Sequence, residues 1–433
     1  MKQDPSSAVD RQREIYVHGA AGRRSPVPVD MDELEIAARD VMAPEAFAYI
    51  AGGAGRESTM AANLAGFERL QIVPRMLRDV GERTIATEFL GHPRSTPLML
   101  SPIGVLEMAH PEADLAVGRA AAACDIPYIY SNQASVAMET VAEAMGERSR
   151  YFQLYWSKSN DLVESFVHRA EAAGCEAIFV TLDTTLLGWR TRDLGLAYLP
   201  FLRGKGIAQY TADPVFRRLM REGVSDSAPR PPISVKALAT LVESAMSYPG
   251  STLSALGSGD ALKAVRTFVD IYSRPTLTWD DLDFLRGCTE LPIVLKGIQH
   301  ADDARRAVDA GMDGIMVSNH GGRQVDGAIG SIEALPAIAQ AVNGQIDIAF
   351  DSGIRGGADI FKALALGADV VGIGRPYCYG LAIAGESGVR DVLTNLLADF
   401  ELTMALAGIA DAKDIGPEAL RARSDFENGA AAS

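Results

Sequence analysis

The sequence predicts an α/β chain folded as a (β/α)8 TIM barrel with a helical lead-in. Eight short apolar runs alternate with amphipathic helical stretches between residues 97 and 407. Each run is apolar on both faces, as strands buried in a parallel sheet are. Three helix-to-strand joints repeat one pattern, Ala173-Gly174-Cys175-Glu176, Ala310-Gly311-Met312-Asp313 and Leu366-Gly367-Ala368-Asp369. Each places a glycine just past a helix, where left-handed backbone is favoured. Strand–helix alternation of this kind closes into a barrel, with a doubly wound open sheet as the alternative.

Residues 1–27 are polar and carry several Pro, Gly and Arg, which predicts a flexible N-terminal arm. Asp30, followed by Glu33, has the pattern of a capping box, and Leu34, Ala37, Ala38 and Val41 continue at helical spacing. A second short helix is expected over 44–51, ending at Gly52-Gly53. The eight strand runs are 97–104, 127–133, 150–156, 177–183, 292–297, 314–320, 347–353 and 370–376. Helices are expected over 110–123, 139–146, 161–173, 301–310, 331–343, 357–366 and 380–407. Residues 28–425 thus read as a single barrel domain, and 426–433 as a frayed tail. The spacing breaks once, after the fourth run. Residues 194–277 hold no clear barrel element, and include the Pro-rich 227–234 and the Gly/Ser-rich 250–259. They predict an extended, partly mobile loop placed where a lid would sit, with a plain disordered insertion as the alternative.

The 433 residues carry 41 Lys and Arg against 56 Asp and Glu, a net charge of −15, which argues against nucleic acid and against an anionic membrane as partners. The four cysteines, Cys124, Cys175, Cys288 and Cys378, form no CxxC pair and no metal-ligand cluster. The polar N-terminus shows no secretory signal and no run is long enough to span a bilayer, so the chain reads as soluble and cytoplasmic.

The active site of such a barrel lies at the C-terminal ends of its strands. Nearly every run ends there in a group able to bind or catalyse: Pro102-Ile103-Gly104, Ser131, Gln153 with Tyr155, Thr181 with Asp183, Lys296, Ser318-Asn319-His320, Asp351 through Arg355, and Gly374-Arg375. The last two strand ends lie where this fold binds phosphate. Their glycines admit backbone N–H groups to an anion, and Arg355 and Arg375 can add charge. His320 follows an apolar run and precedes Gly321-Gly322, so its ring should face the mouth as a base, with Asp183 steadying the imidazolium. Arg190 and Arg323 suggest a carboxylate held bidentately. Lys296 ends an apolar strand and should face an electron-rich or anionic ligand. Trp156 and Trp189 read as packing.

The run Ser318-Asn319-His320-Gly321-Gly322-Arg323-Gln324 resembles the S-N-H-G-[AG]-R-Q motif of the FMN-dependent α-hydroxy-acid oxidising enzymes. F-Q-L-Y (152–155), T-L-D-T (181–184), L-K-G (295–297), D-S-G-I-R-G-G (351–357) and G-I-G-R-P (372–376) accompany it in order. In detail the chain is most similar to the lactate 2-monooxygenase branch, through Y-I-A-G-G (49–53), P-R-M-L (74–77), P-I-G-V (102–105) and P-F-L-R-G (200–204). The resemblance implies FMN as cofactor, a small L-2-hydroxy acid, L-lactate foremost, as substrate, O2 as acceptor, and a homotetramer or homo-octamer. It implies that His320 takes the hydroxyl proton, that Asp183 steadies His320, and that Tyr49, Arg190 and Arg323 hold the carboxylate while Tyr155 bonds the hydroxyl. Lys296 would sit at the flavin. Pro102, Ile103, Gly104, Ser131, Gln153, Thr181 and Ser318 would contact its ring or ribityl chain. Asp351, Ser352, Gly353, Ile354, Arg355, Gly374 and Arg375 would hold ribityl and phosphate. Gly104 stands where many oxidases carry Ala, which favours oxidative decarboxylation over release of keto acid and peroxide. A plain oxidase, a dehydrogenase with another acceptor or a larger substrate are the alternatives, and Asn132 and Gln133 bear on the substrate side chain.

Overall fold

A computed structural model describes residues 8–223 and 234–423. Eight parallel strands close into a barrel: β1 (Leu98–Leu100), β2 (Tyr128–Tyr130), β3 (Arg150–Tyr155), β4 (Ile178–Thr181), β5 (Ile293–Ile298), β6 (Gly314–Val317), β7 (Asp347–Phe350) and β8 (Val370–Ile373). Neighbours pair in sequence order and β8 closes onto β1. All eight fall within the expected runs or one residue beyond them. The three joint glycines, Gly174, Gly311 and Gly367, adopt positive φ of 70°, 66° and 103°.

Alternation along each strand sets two tiers inside the barrel. The lower tier is apolar and takes one side chain from each strand: Met99, Ile129, Tyr151, Phe179, Val294, Met316, Ala349 and Val370. Phe89, from a hairpin formed by Thr87–Phe89 and His92–Arg94, packs into the same cluster. Two residues further along each strand stand Ser101, Ser131, Gln153, Thr181, Lys296, Ser318, Asp351 and Gly372. The barrel therefore has an oily plug beneath a polar floor.

Outside the barrel, helices cover the strands. Met31–Val41 starts at Asp30, whose carboxylate accepts from the N–H groups of Asp32 and Glu33. Pro44–Ala51 follows as expected, with proline in its first turn. The last helix begins at Arg375, five residues before its expected start, and runs to Leu406. It breaks at Ala384 and Gly385, where Gly385 takes φ 59°, a region open to glycine.

Two expectations are corrected. The supposed flexible arm contains a helix, Ala8–Ala20, docked on the last helix. Arg11 donates to Asn395 at 2.9 Å and pairs with Asp391 at 3.1 Å, and the Ala8 N–H reaches Glu401. The docking contacts are polar, so hydropathy gave no sign of them. The supposed loop 194–277 is largely helical in its described part: Ala208–Ala212, Pro214–Glu222, Val235–Ser247, Thr252–Ser258 and Asp260–Ile271. Asp213 and Ser234 cap two of these helices, and the insertion's Phe201, Tyr210, Phe216 and Phe268 form an aromatic core that reaches Phe166 of the barrel. Among the described residues, Ser234, Ser251 and Gly259 stand at helix ends. Most of the Pro-rich stretch, and the tail 426–433, lie outside the described residues.

Candidate active site

The polar floor opens upward into a cleft of about 1020 Å³, counted to its open mouth. Lys296 rises into it from the floor. Its ammonium donates to the Ser318 hydroxyl at 2.8 Å and lies 3.4 Å from Asp351, so this 3% exposed cation has a partner. Asp351 also accepts from Ser101 and Ser352. Ser131 donates to Gln153, which leaves the Gln153 Nε2 and the neighbouring Thr181 hydroxyl buried and without a partner among the described residues. Buried polar groups are rarely left unpaired, so these point to a polar ligand lying on the floor.

Two residues further along the chain from the floor stand Gln133, Tyr155, Asp183 and His320. His320 occupies left-handed backbone, φ 58°, on the short turn that follows β6. Its Nδ1 faces Asp183 at 2.8 Å, and Thr184, which donates to the same carboxylate, lies 3.3 Å from that nitrogen. Burial lowers the His320 pKa, and the Asp183 charge opposes this without reversing it. The ring is therefore a neutral base at neutral pH, with Nε2 left over for a ligand. Burial pushes the Asp183 carboxyl up, but the charge and hydrogen bond of His320, with Lys296 and Thr184, hold it down at about 2. Burial drives the Tyr155 pKa far up, so its phenol stays protonated and can donate.

Two guanidiniums stand above this pair. Arg323 donates to the carbonyls of Tyr49 and Gly52, and Arg190 to those of Arg323 and the Gln324 side chain. All these acceptors are neutral. Burial, with the charge of Arg190, pulls the Arg323 pKa down to about 9. Tyr49 lies under both cations, at 5.0 Å from Arg323 and 5.9 Å from Arg190. Among the described residues neither arginine makes an ion pair within 4 Å, although the charge of the buried Asp193 reaches both; two such cations in one cleft can hold a small anion.

The cleft is also lined by Ser352 through Arg355, by Gly374 and by Arg375, the first residue of the last helix. The Arg375 guanidinium donates to the carbonyls of Ile50, Gly52 and Gly321, which ties the 50–52 segment to the His320 turn.

The structure brings most of the expected residues to the cleft wall: Tyr49, Pro102, Ile103, Gly104, Tyr155, Arg190, Lys296, His320, Arg323, Asp351 through Arg355, Gly374 and Arg375. Asp183 stands behind His320. Ser131, Gln153, Thr181 and Ser318 belong to the floor. Sequence reasoning assigned no role to Thr184, though it adjoins Asp183, nor to Phe201 and Tyr272, which reach the cleft from the insertion. Trp189, expected to pack, is 72% exposed.

Residues 38–422 match the family described as FMN-dependent dehydrogenase. The chain is 39% identical over 411 residues to the FMN-dependent alpha-hydroxy acid dehydrogenase qulF of Penicillium citrinum, covering 95% of each. It is 41% identical to an L-lactate oxidase of Lysinibacillus sphaericus, over 89% of this chain and 90% of that one. A crystal structure of mandelate oxidase superposes with a TM-score of 0.72 at 35% identity, covering 91% of this chain and 98% of the other. With residues 38–422 matched to that family and 95% of the chain aligned with a relative at 39% identity, the chain belongs to the family of FMN-dependent 2-hydroxy-acid oxidoreductases.

Proposed function

We propose that the protein oxidises a small L-2-hydroxy acid with O2 as acceptor, and that it converts L-lactate to acetate, CO2 and water. The observation that carries the reading is the neutral His320 ring held on the Asp183 carboxylate, beneath two arginines whose hydrogen bonds among the described residues go to neutral acceptors. A 2-hydroxy acid offers one carboxylate and one hydroxyl at adjacent carbons, which is the pattern this wall can receive.

The residues present fit FMN. The unpartnered Gln153 Nε2 and Thr181 hydroxyl can take up the polar edge of its ring, beside Lys296, Ser131 and Ser318. The backbone of Pro102, Ile103 and Gly104 forms the adjoining wall. Asp351 through Arg355, with Gly374 and the helix starting at Arg375, can hold its ribityl chain and phosphate. When bound, FMN supplies the two-electron acceptor. Arg190, Arg323 and Tyr49 hold the substrate carboxylate, and Tyr155 donates to the hydroxyl oxygen. His320 Nε2 takes the hydroxyl proton as the C–H bond breaks, and Asp183 stabilises the resulting imidazolium.

Phe201 and Tyr272 give the cleft an outer wall, which supports retention of the keto acid. Retained pyruvate meets the hydrogen peroxide formed from O2 and loses CO2, so that lactate plus O2 becomes acetate, CO2 and water in atom balance. The exposed Met76, Leu77 and Leu406, on segments joined by the Arg75–Ala407 hydrogen bond, support self-association, and the homotetramer or homo-octamer rests on the family resemblance alone. Product analysis after aerobic turnover of L-lactate tests the chemistry. Stoichiometric acetate is expected; stoichiometric free pyruvate with peroxide would reduce the protein to a plain oxidase.

A further inference from the structure

Gln133 stands one tier above the floor, two residues beyond Ser131, as Tyr155 does beyond Gln153 and His320 beyond Ser318. It lines the cleft and is only 7% exposed. Its backbone is held on both sides: its N–H donates to Ser131 Oγ at 3.1 Å, and its carbonyl accepts from Val105 N–H at 2.9 Å. That second bond draws Val105 into left-handed backbone, φ 60°, which a β-branched residue rarely adopts. Among the described residues no hydrogen bond reaches the Gln133 carboxamide.

Two glycines make room for this glutamine. A methyl group at Gly104 would stand 3.0 Å from both Gln133 Cβ and its carbonyl oxygen. A Cβ at Gly206 would stand 3.0 Å from the same carbonyl and 3.2 Å from the Phe201 ring. The space beside Gly104 is thus bounded by Gln133, and Gln133 neighbours the aromatic wall that the insertion contributes. The carboxylate end of the cleft is taken by Arg190, Arg323 and Tyr49, and the hydroxyl position by His320 and Tyr155. What remains for a substrate's side chain is the wall of Gln133, Phe201, Leu187 and Tyr272, which carries no charge.

We infer that Gln133 reads the substrate's side chain, and that the protein favours 2-hydroxy acids whose side chain carries a neutral hydrogen-bonding group over apolar ones of the same shape. This rests on the 2-hydroxy-acid reading above and names the substrate class within it; L-lactate, whose methyl leaves the amide unpaired, is then a weaker substrate than an analogue with a hydroxyl on that carbon. A buried amide is satisfied by a side-chain hydroxyl and left unpaired by a methyl, and sites built this way reject the analogue that lacks the polar group.

The test uses matched pairs: L-glycerate against L-2-hydroxybutyrate, and 4-hydroxymandelate against 4-methylmandelate. kcat/KM is measured for each on holoenzyme, wild type and Gln133→Met, alongside the FMN affinity of the apoprotein. In the wild type the polar member of at least one pair is expected to win by about tenfold or more, the effect of one hydrogen bond to an otherwise unpaired group. Gln133→Met should erase that ratio, chiefly by losing the polar substrate, with FMN affinity unchanged. Gly104→Ala, which crowds Gln133, should lower the ratio in the same direction. Equal or apolar-favouring ratios in the wild type, ratios unmoved by Gln133→Met, or a loss of FMN affinity in that variant would each overturn the inference while leaving the 2-hydroxy-acid reading intact. Absence of turnover with every member of both pairs and with lactate would overturn both.

Discussion

The reactivity of the cleft turns on one proton position, His320 Nε2. Burial holds the ring's pKa below the ordinary histidine value of 6.5, and Asp183 works against that shift. The deprotonated ring is the active form, so kcat/KM should rise with pH along an acid limb centred below 6.5. Replacing Asp183 with Asn removes the charge that favours the imidazolium. The His320 pKa then falls further, the limb moves to lower pH, and the plateau drops by about 10²- to 10⁴-fold. Rate profiles of both proteins check this. A limb above 6.5, or one that moves upward in Asp183→Asn, would remove His320 from the role of base. His320 and the Gly-rich strand ends were legible because they follow closely on apolar runs, and Arg323 because it carries charge just past the His320 turn. The partners of Arg375 were not, since backbone carbonyls carry no sequence signature.

The elements were read from periodicity, and periodicity served the barrel well. Strands buried on both faces are continuous apolar runs, and their ends were marked by glycine, proline and polar residues. The floor was visible as isolated residues such as Ser131 and Thr181. Its organisation as one tier, two residues above an apolar one in every strand, needs the register between strands. Periodicity failed where contacts are polar or depend on glycine backbone. The helix Ala8–Ala20 docks through Arg11, and the final helix folds back on itself at Ala384–Gly385. That fold-back brings its two arms together through Gly380 and Gly388: a Cβ at Gly388 would lie 2.0 Å from the Gly380 carbonyl oxygen. Gly388→Ala should therefore destabilise the protein by about 1–3 kcal/mol, read as a lower thermal midpoint. An unchanged midpoint would mean that the two arms are not in backbone contact.

Across the whole molecule, chemistry is assembled from parts far apart in sequence. The 49–54 segment supplies Tyr49 and is tied to the His320 turn by Arg323, by Arg375 and by the Ala54 N–H to Gly322 carbonyl bond. The insertion, read from sequence as a loop, adds an aromatic wall through Phe201, which packs edge-on to Tyr49, and Tyr272. Among the described residues no helix is long and apolar enough to cross a membrane. Family membership establishes FMN and the 2-hydroxy-acid reaction class; the acceptor, the fate of the keto acid and the side-chain preference are proposals. The central claim is that this cleft passes two electrons from a 2-hydroxy acid to FMN with His320 as base. It is tested most directly by anaerobic mixing of holoenzyme with L-lactate while the flavin absorption band is followed, for wild type and His320→Ala. The account predicts bleaching of the wild type, slowed by about 10²- to 10⁴-fold in His320→Ala. Equal bleaching rates in the two proteins, or a wild-type flavin that no 2-hydroxy acid reduces, would contradict it.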